Sequence, residues 1–240
     1  MDWQMTEFQY FKTIKFFGQL VGVWPYQEEF LKITIRYVTL VLIIVCFATQ
    51  ISRVVVFYSL DVLLEQMPHL DVTLIIVLKQ YNYILNEKKL KELLSNIVAE
   101  RLIERPKEEL EILDMYSQKA TILTFIYKVS TFVTAVMFVL IPVVSPILNI
   151  IAPLNESRNR EFIYPAYYFL DEERYYYVIL VQMAASVSLL VVVYIACDTS
   201  LIHFVHHGCA LLTISGHQHN EESLCRKMSF PVYFSSYTCI

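Results

Sequence analysis

Four potential metal ligands lie close together near the end of the chain: His203, His206, His207 and Cys209. Their helical spacing places imidazole and thiol groups on neighbouring turns, and both groups bind Zn²⁺. The set lacks the common zinc patterns His-Glu-x-x-His and paired Cys-x-x-Cys. Histidine is also ordinary in a polar helix just below a membrane. We therefore predict no metal site and no cofactor.

Catalytic motifs are absent from the sequence, which contains no Gly-x-Ser-x-Gly, P-loop, dinucleotide-binding glycines or kinase set. We predict no catalytic residue and no enzymatic activity. The net charge is −4 and the basic residues are dispersed. Since nucleic-acid-binding surfaces concentrate positive charge, no nucleic-acid partner is expected.

Two charged residues, Asp71 and Lys79, interrupt an otherwise apolar stretch. A charge inside a bilayer is costly, so such residues are candidates for function. The alternative is that both side chains face water near the ends of a short helix.

Noncovalent binding in a cavity is the remaining chemistry that the sequence suggests. Aromatic and methionine side chains with a few hydroxyl groups suit a small, mostly apolar ligand. The same side chains also form the contacts between packed helices, and the sequence leaves both interpretations open. The predicted ligand-binding residues, in the outer half of a helical bundle, are Thr73, Ile76, Met137, Ile141, Tyr176, Tyr177 and Met183.

Long apolar segments must position these residues. The chain is 56% hydrophobic and 18% charged, whereas soluble domains carry about 25% charged residues. A helix needs about 20 apolar residues to cross a bilayer. The sequence predicts an all-α, polytopic membrane helical bundle, a single transmembrane domain over residues 1–240. About four spans are predicted, at 37–60, 69–85, 129–151 and 175–202.

Two other segments have helical periodicity. Phe17, Leu20, Val21 and Trp24 share one helix face before Pro25. This short helix either lies on the membrane interface or packs on its own bundle. Residues 86–120 are polar and are broken at Pro106, which predicts a cytoplasmic helical hairpin.

The distribution of Lys and Arg predicts the orientation of the spans. Four basic residues precede the first span, none separates the first two spans, and seven lie between Lys88 and Lys119. This alternation places the amino terminus in the cytoplasm and requires the weakly apolar second segment to cross. The loop after the third span is then outside, where Asn155 of the Asn-Glu-Ser sequon is a predicted glycosylation site.

Three motifs in their order along the chain resemble the insect odorant receptor family. The segment Leu20–Pro25 is similar to a Gly-x-Trp-Pro element before the family's first helix. Residues Phe162–Tyr168 resemble its second outer loop, rich in Tyr, Phe and Pro. The stretch Tyr194–Gly208, with Cys197-Asp198-Thr199, resembles the end of its fourth helix.

The resemblance implies a multi-pass receptor of the plasma membrane with seven helices and a cytoplasmic amino terminus. Such a subunit binds a small apolar odorant in the outer part of the bundle. It forms a ligand-gated cation channel with an odorant receptor coreceptor. Only about four spans fit this chain, and nothing after residue 203 is long and apolar enough to cross. We therefore expect a truncated form that lacks the pore-lining last helix and does not conduct alone.

Two alternatives accompany this interpretation. One is a gustatory receptor of the same superfamily, which shares the architecture and orientation. The other is a self-contained four-helix membrane scaffold protein.

Overall fold

Helices make up nearly all of the structure, a computed structural model that describes residues 9–151 and 160–234. No strand occurs in these two ranges. The six helices are α1 (Gln9–Leu20), α2 (Glu29–Val56), α3 (Leu60–Leu85), α4 (Glu87–Leu102), α5 (Lys107–Ile151) and α6 (Glu172–Phe234). The predicted all-α fold class is confirmed.

Three helices are long and apolar enough to cross a membrane among the described residues: Glu29–Val56, Lys107–Leu148 and Glu172–His217. Only 22%, 11% and 28% of their most apolar windows, respectively, are buried inside the protein. Soluble monomers rarely expose apolar surface of this extent. Lipid is the solvent that such helices require, so the fold is a helical membrane bundle.

The second predicted span, 69–85, lies on α3, which has 26 residues. At about 1.5 Å per residue this helix is long enough to cross. It carries Asp61, Glu65, Asp71 and Lys79, and for this reason it is less apolar than the other three. Transmembrane placement of α3 stays a prediction.

The helix α6 is the centre of the bundle, because it packs against α1, α2, α3 and α5. Its amino end is capped by Asp171, whose Oδ1 accepts hydrogen bonds from the Glu173 and Arg174 backbone N–H groups at 3.2 and 3.3 Å. Further along, the buried side chains of Met183, Val193 and Ala210 belong to three different apolar clusters. One helix therefore connects the packing from one end of the bundle to the other.

The segment after α1 packs on the bundle. The helix ends at Leu20 because Gly22 adopts a positive φ of 68°. Val21 and Trp24 consequently lie in the following turn and not on the helix, as their spacing had suggested, yet both are buried. Trp24 packs with Phe11 of α1. Packing on the bundle is thus the correct alternative.

Charged side chains join the amino-terminal part to the start of α4. The Glu87 carboxylate accepts hydrogen bonds from Lys32 Nζ at 2.6 Å and Arg36 Nη2 at 2.8 Å. Arg36 also donates through Nε to the Gly22 carbonyl at 2.7 Å. Burial alone would raise the pKa of Glu87, but the two cations lower it below its ordinary range.

Ion pairs connect the two helical parts of the 86–120 segment. The helix α4 ends at Leu102 and α5 begins at Lys107. Arg101 of α4 donates to Asp114 of α5 at 2.9 Å, and Arg105 in the connection donates to Glu109 at 2.9 Å. The cytoplasmic location of this segment remains a prediction.

The loop before α6 covers the opposite end of the bundle. The Tyr167 N–H donates to the Thr49 carbonyl of α2 at 3.0 Å. Gln66 Nε2 of α3 donates to the Pro165 carbonyl at 3.1 Å. Asn155 lies outside the described residues, so its glycosylation stays a prediction.

We expect Gly22→Ala to destabilise the bundle. A Cβ atom at Gly22 would lie 2.9 Å from the Lys32 carbonyl oxygen, and the positive φ would add about 1–3 kcal/mol of strain. The apparent melting temperature in lipid nanodiscs, followed by circular dichroism, should fall by several degrees. The control is Gly208→Ala, where a Cβ would meet nothing within 4 Å; it should leave the melting temperature unchanged or raise it. Equal effects would contradict this account of the turn.

We expect Glu87→Gln to remove a pH-dependent part of the stability. Because its folded-state pKa is lowered, Glu87 stabilises the fold above the ordinary glutamate pKa of about 4.3. That contribution is lost as the pH falls through the lowered pKa. Melting temperatures of the wild type and variant should therefore differ at pH 7, and the difference should shrink as the pH falls below the ordinary glutamate pKa. The exposed Glu111→Gln is the control, and a difference that is independent of pH would contradict the prediction.

Candidate functional site

A cavity of about 390 Å³ lies between α2, α3, α5 and α6, beneath the loop that precedes α6. This volume falls within the usual range of small-molecule sites, roughly 300–1,000 Å³. Most of its wall is apolar, and α5 adds several hydroxyl groups. The lining residues are Cys46, Gln50, His69, Val72, Thr73, Ile76, Tyr127, Ser130, Thr131, Thr134, Ala135, Phe138, Ile163, Tyr164, Val187, Leu190, Val191 and Tyr194.

Three aliphatic hydroxyl groups in the wall, those of Thr73, Ser130 and Thr134, are bonded to their own helices. Thr73 Oγ1 donates to the His69 carbonyl at 2.9 Å. Ser130 donates to the Tyr127 carbonyl at 2.9 Å, and Thr134 donates to the Ser130 carbonyl at 2.9 Å. Since each hydroxyl proton is used in this way, these groups offer the cavity mainly acceptor oxygen atoms.

Two buried groups form a polar end of the cavity. Gln50 is 2% exposed and Tyr164 is 5% exposed. The Gln50 amide nitrogen donates to Thr73 Oγ1 at 3.3 Å and lies 3.2 Å from Cys46 Sγ. The Gln50 Oε1 and the Tyr164 hydroxyl have no hydrogen-bond partner of normal geometry in the described part of the chain. Buried polar groups are usually bonded, so both oxygen atoms are suited to contact a ligand.

An ion pair lies beside Tyr127 and Tyr194 of the cavity wall. Lys79 of α3 pairs with Asp198 of α6, and the Tyr127 hydroxyl of α5 donates to the same carboxylate. The Lys79 ammonium also lies 4.5 Å from the centre of the Tyr194 ring. The interaction therefore joins three helices and positions the aromatic rings of Tyr127 and Tyr194.

The structure brings two of the seven predicted ligand-binding residues together. Thr73 and Ile76 line the cavity from α3. Tyr176 and Met183 are buried in packing contacts near its outer side. Their part in ligand binding remains a prediction.

The other three predicted residues do not line the cavity. Met137 is 65% exposed and Tyr177 is 70% exposed, because their helix faces point away from the neighbouring helices. Ile141 is half-buried one residue before Pro142. Periodicity identified the helices but not the rotation of each one.

Several cavity residues were not among the predicted set. Gln50 is a polar residue in the first apolar run, a signal comparable to that of Asp71 and Lys79. Tyr164 belongs to the aromatic loop. Asp198, which does not line the cavity but bonds to the lining residue Tyr127, belongs to the fourth-helix motif. Nothing in the sequence distinguished the α5 residues Tyr127 and Thr134 from other residues of that helix.

The histidine set near the end of the chain does not assemble a metal site in the described ranges, where no three potential ligands come together. His203 contacts Thr124 Oγ1 at 3.4 Å, and His206 Nδ1 lies 2.9 Å from the Ile202 carbonyl oxygen. These side chains make contacts between and within helices.

The fold and the cavity define an all-helical membrane protein with an internal site suited to a small apolar molecule. A family model described as 7tm Odorant receptor matches residues 59–220. This region covers more than half of the chain and includes α3, α4, α5 and much of α6. The chain therefore belongs to the odorant receptor family. Searches of curated proteins and of solved structures find no match.

We expect the Lys79–Asp198 pair to be strongly coupled. Asp198→Asn alone would leave Lys79, whose side chain is 28% exposed, without its carboxylate, and we expect a cost above the roughly 1 kcal/mol of an exposed pair. Lys79→Met alone should also destabilise the folded protein. The double variant should recover part of the loss, because neither charge is then left unpaired. The melting temperatures of the wild type, the two single variants and the double variant, measured in nanodiscs, give the coupling between the two residues.

The more exposed Arg53–Glu65 pair, with an N–O distance of 2.8 Å, is the control. Removing it should cost less than about 1 kcal/mol. Additive effects of Lys79→Met and Asp198→Asn would show that the pair does not act as a unit.

Proposed function

We propose that this chain is an odorant receptor subunit that binds a small, mostly apolar odorant in the cavity between α2, α3, α5 and α6. The observation that carries the proposal is a cavity of ligand size with a mostly apolar wall. Two buried polar atoms in that wall, Gln50 Oε1 and the Tyr164 hydroxyl, have no hydrogen-bond partner of normal geometry among the described residues. Ligand sites commonly combine an apolar lining with a few polar groups that orient the ligand.

The proposed orientation in the plasma membrane places α1 and α4 in the cytoplasm. The basic residues Lys32 and Arg36 meet α4 at that end, as expected from the excess of Lys and Arg on cytoplasmic segments. The loop that holds Tyr164 lies at the opposite end and covers the cavity. An odorant would then reach its site from the outer side.

The proposed signalling role is that of a subunit in an odorant-gated cation channel formed with a coreceptor. Support for this role comes from membership in the odorant receptor family. Catalytic activity is not part of the proposal, because the family consists of receptors.

Filling the cavity should abolish ligand binding. Thr134→Phe adds a ring to a cavity-lining position of α5, whereas Ile122→Phe adds one to an exposed position of the same helix. Binding of a panel of neutral six- to ten-carbon compounds would be measured by saturation-transfer NMR on the chain in nanodiscs. The wild type and Ile122→Phe should bind at least one compound, and Thr134→Phe should lose this binding.

Two outcomes would contradict the proposed site. One is that no compound of the panel binds the folded wild type. The other is that Thr134→Phe binds as well as Ile122→Phe. Cation currents in cells that express the chain with a coreceptor, compared with cells that lack the coreceptor, test the channel role separately.

A further inference from the structure

We propose that the cavity selects ligands that carry a hydroxyl group on an apolar body, and that it discriminates against ethers and carbonyl compounds of the same size. The inference rests on the proposed odorant-binding function and specifies the ligand class of that site. It follows from the hydrogen-bonding state of two side chains, Gln50 and Tyr164.

The first step concerns the orientation of the Gln50 amide. The Thr73 hydroxyl donates its proton to the His69 carbonyl, so towards Gln50 it can only accept. The Gln50 nitrogen must therefore face Thr73, where the distance is 3.3 Å. The same nitrogen lies 3.2 Å from Cys46 Sγ. Both N–H donors of the amide are therefore used, and only the acceptor Oε1 is left to bond to a ligand.

The second step concerns the Gln50 amide oxygen, the part of the side chain that is left to bond to a ligand. Its Oε1 atom is a pure acceptor, is buried, and has no hydrogen-bond partner in the part of the chain that the structure describes. A buried amide oxygen without a donor is unfavourable, because it has lost its hydrogen bonds with water. A ligand that supplies an O–H donor removes this cost. A ligand that has only acceptor atoms cannot bond to Gln50 Oε1, so the amide oxygen stays unpaired and the cost remains.

The third step concerns Tyr164, which lies at the same end of the cavity. Its hydroxyl and the Gln50 amide nitrogen both neighbour the Cys46 thiol. The phenol can donate and accept, and the Tyr168 hydroxyl also lies beside it, but it makes no hydrogen bond of normal geometry within the described residues. Burial raises the pKa of Tyr164, so its proton is retained at neutral pH.

An alcohol satisfies both groups with one atom. Its oxygen accepts from the Tyr164 hydroxyl while its proton is donated to Gln50 Oε1. An ether or aldehyde can accept from Tyr164 but has nothing to donate to Gln50. A site built around a ligand hydroxyl discriminates strongly against analogues that lack it, because the buried groups then stay unpaired.

The remainder of the wall suits the apolar body of such a ligand. Ile76, Phe138, Val187 and Leu190 also line the cavity. The Ser130 and Thr134 hydroxyl groups donate within α5, whereas the two polar atoms without a partner of normal geometry among the described residues belong to Gln50 and Tyr164 beside Cys46, so a molecule with one polar end has a preferred direction. We expect the hydroxyl end to lie beneath the loop and the chain to extend between the helices.

The test compares two isomers, 1-octanol and 1-methoxyheptane, together with octanal. Affinities would be measured by saturation-transfer NMR titration on the full chain in phosphatidylcholine nanodiscs. The wild type should bind 1-octanol about tenfold more tightly than 1-methoxyheptane, the factor expected for one hydrogen bond of about 1.4 kcal/mol. Octanal should bind like the ether.

Two variants assign the preference to its source. Tyr164→Phe removes one oxygen atom with little change in shape, and Gln50→Leu removes the acceptor. Gln50→Leu should reduce the preference for 1-octanol to less than threefold, whereas Tyr164→Phe should weaken 1-octanol and 1-methoxyheptane alike, because both accept from the phenol. The control is Tyr177→Phe, at an exposed position outside the cavity, which should keep the wild-type preference. Circular dichroism would confirm that each variant is folded.

The outcomes separate this inference from the proposed function. If none of the three compounds binds the wild type and the wider panel also fails, the proposed function is wrong. If the alcohol and the ether bind equally well, the site binds odorants but the hydroxyl selection is wrong. A tenfold preference that survives in Gln50→Leu, or an alcohol affinity that Tyr164→Phe leaves unchanged, would overturn the assignment to these residues.

Discussion

The Asp198 carboxylate lies among helices that expose most of their apolar surface, and it is the group on which the arrangement of the bundle depends. An unpaired charge in such surroundings costs several kcal/mol. Lys79 from α3 and Tyr127 from α5 both bond to it. The Tyr83 hydroxyl of α3 adds a bond of 2.6 Å to the neighbouring Cys197 carbonyl. These polar contacts hold α3 and α5 against α6, because sliding either helix would leave a buried group unpaired.

The cavity is a consequence of this arrangement. Between the Lys79–Asp198 pair at one end and the loop around Tyr164 at the other, α3 and α5 do not close on each other. Tyr127 and Tyr194 form part of the wall next to the ion pair, so a ligand that contacts their rings would also contact groups that hold the helices together. Ligand binding at the proposed site would therefore involve side chains that also fix the positions of the helices.

Local sequence signals identified the helices but not the contacts between them. Apolar runs of about 20 residues or more can be recognised from the sequence alone, since a helix needs that length to cross a bilayer. The same periodicity assigned Val21 and Trp24 to a helix face, although Gly22 ends the helix before them. Thr73 and Ile76 were recognised as cavity residues, whereas Met137 and Tyr177 are exposed. A uniformly apolar helix carries little information about which face meets its neighbours, so such errors are expected.

The sequence by itself determined that this chain is an all-helical membrane protein and, through the order of its motifs, that it resembles the odorant receptor family. Those properties depend on composition, run length and motifs that are local in the chain. Only the tertiary structure decided that Lys79 pairs with Asp198, 119 residues away, and that Gln50 and Tyr164 share one end of a cavity. These contacts depend on the rotation and tilt of whole helices, which result from many weak packing interactions at once. The chemistry of the site therefore emerges from the packing, although each of its residues can be read in the sequence.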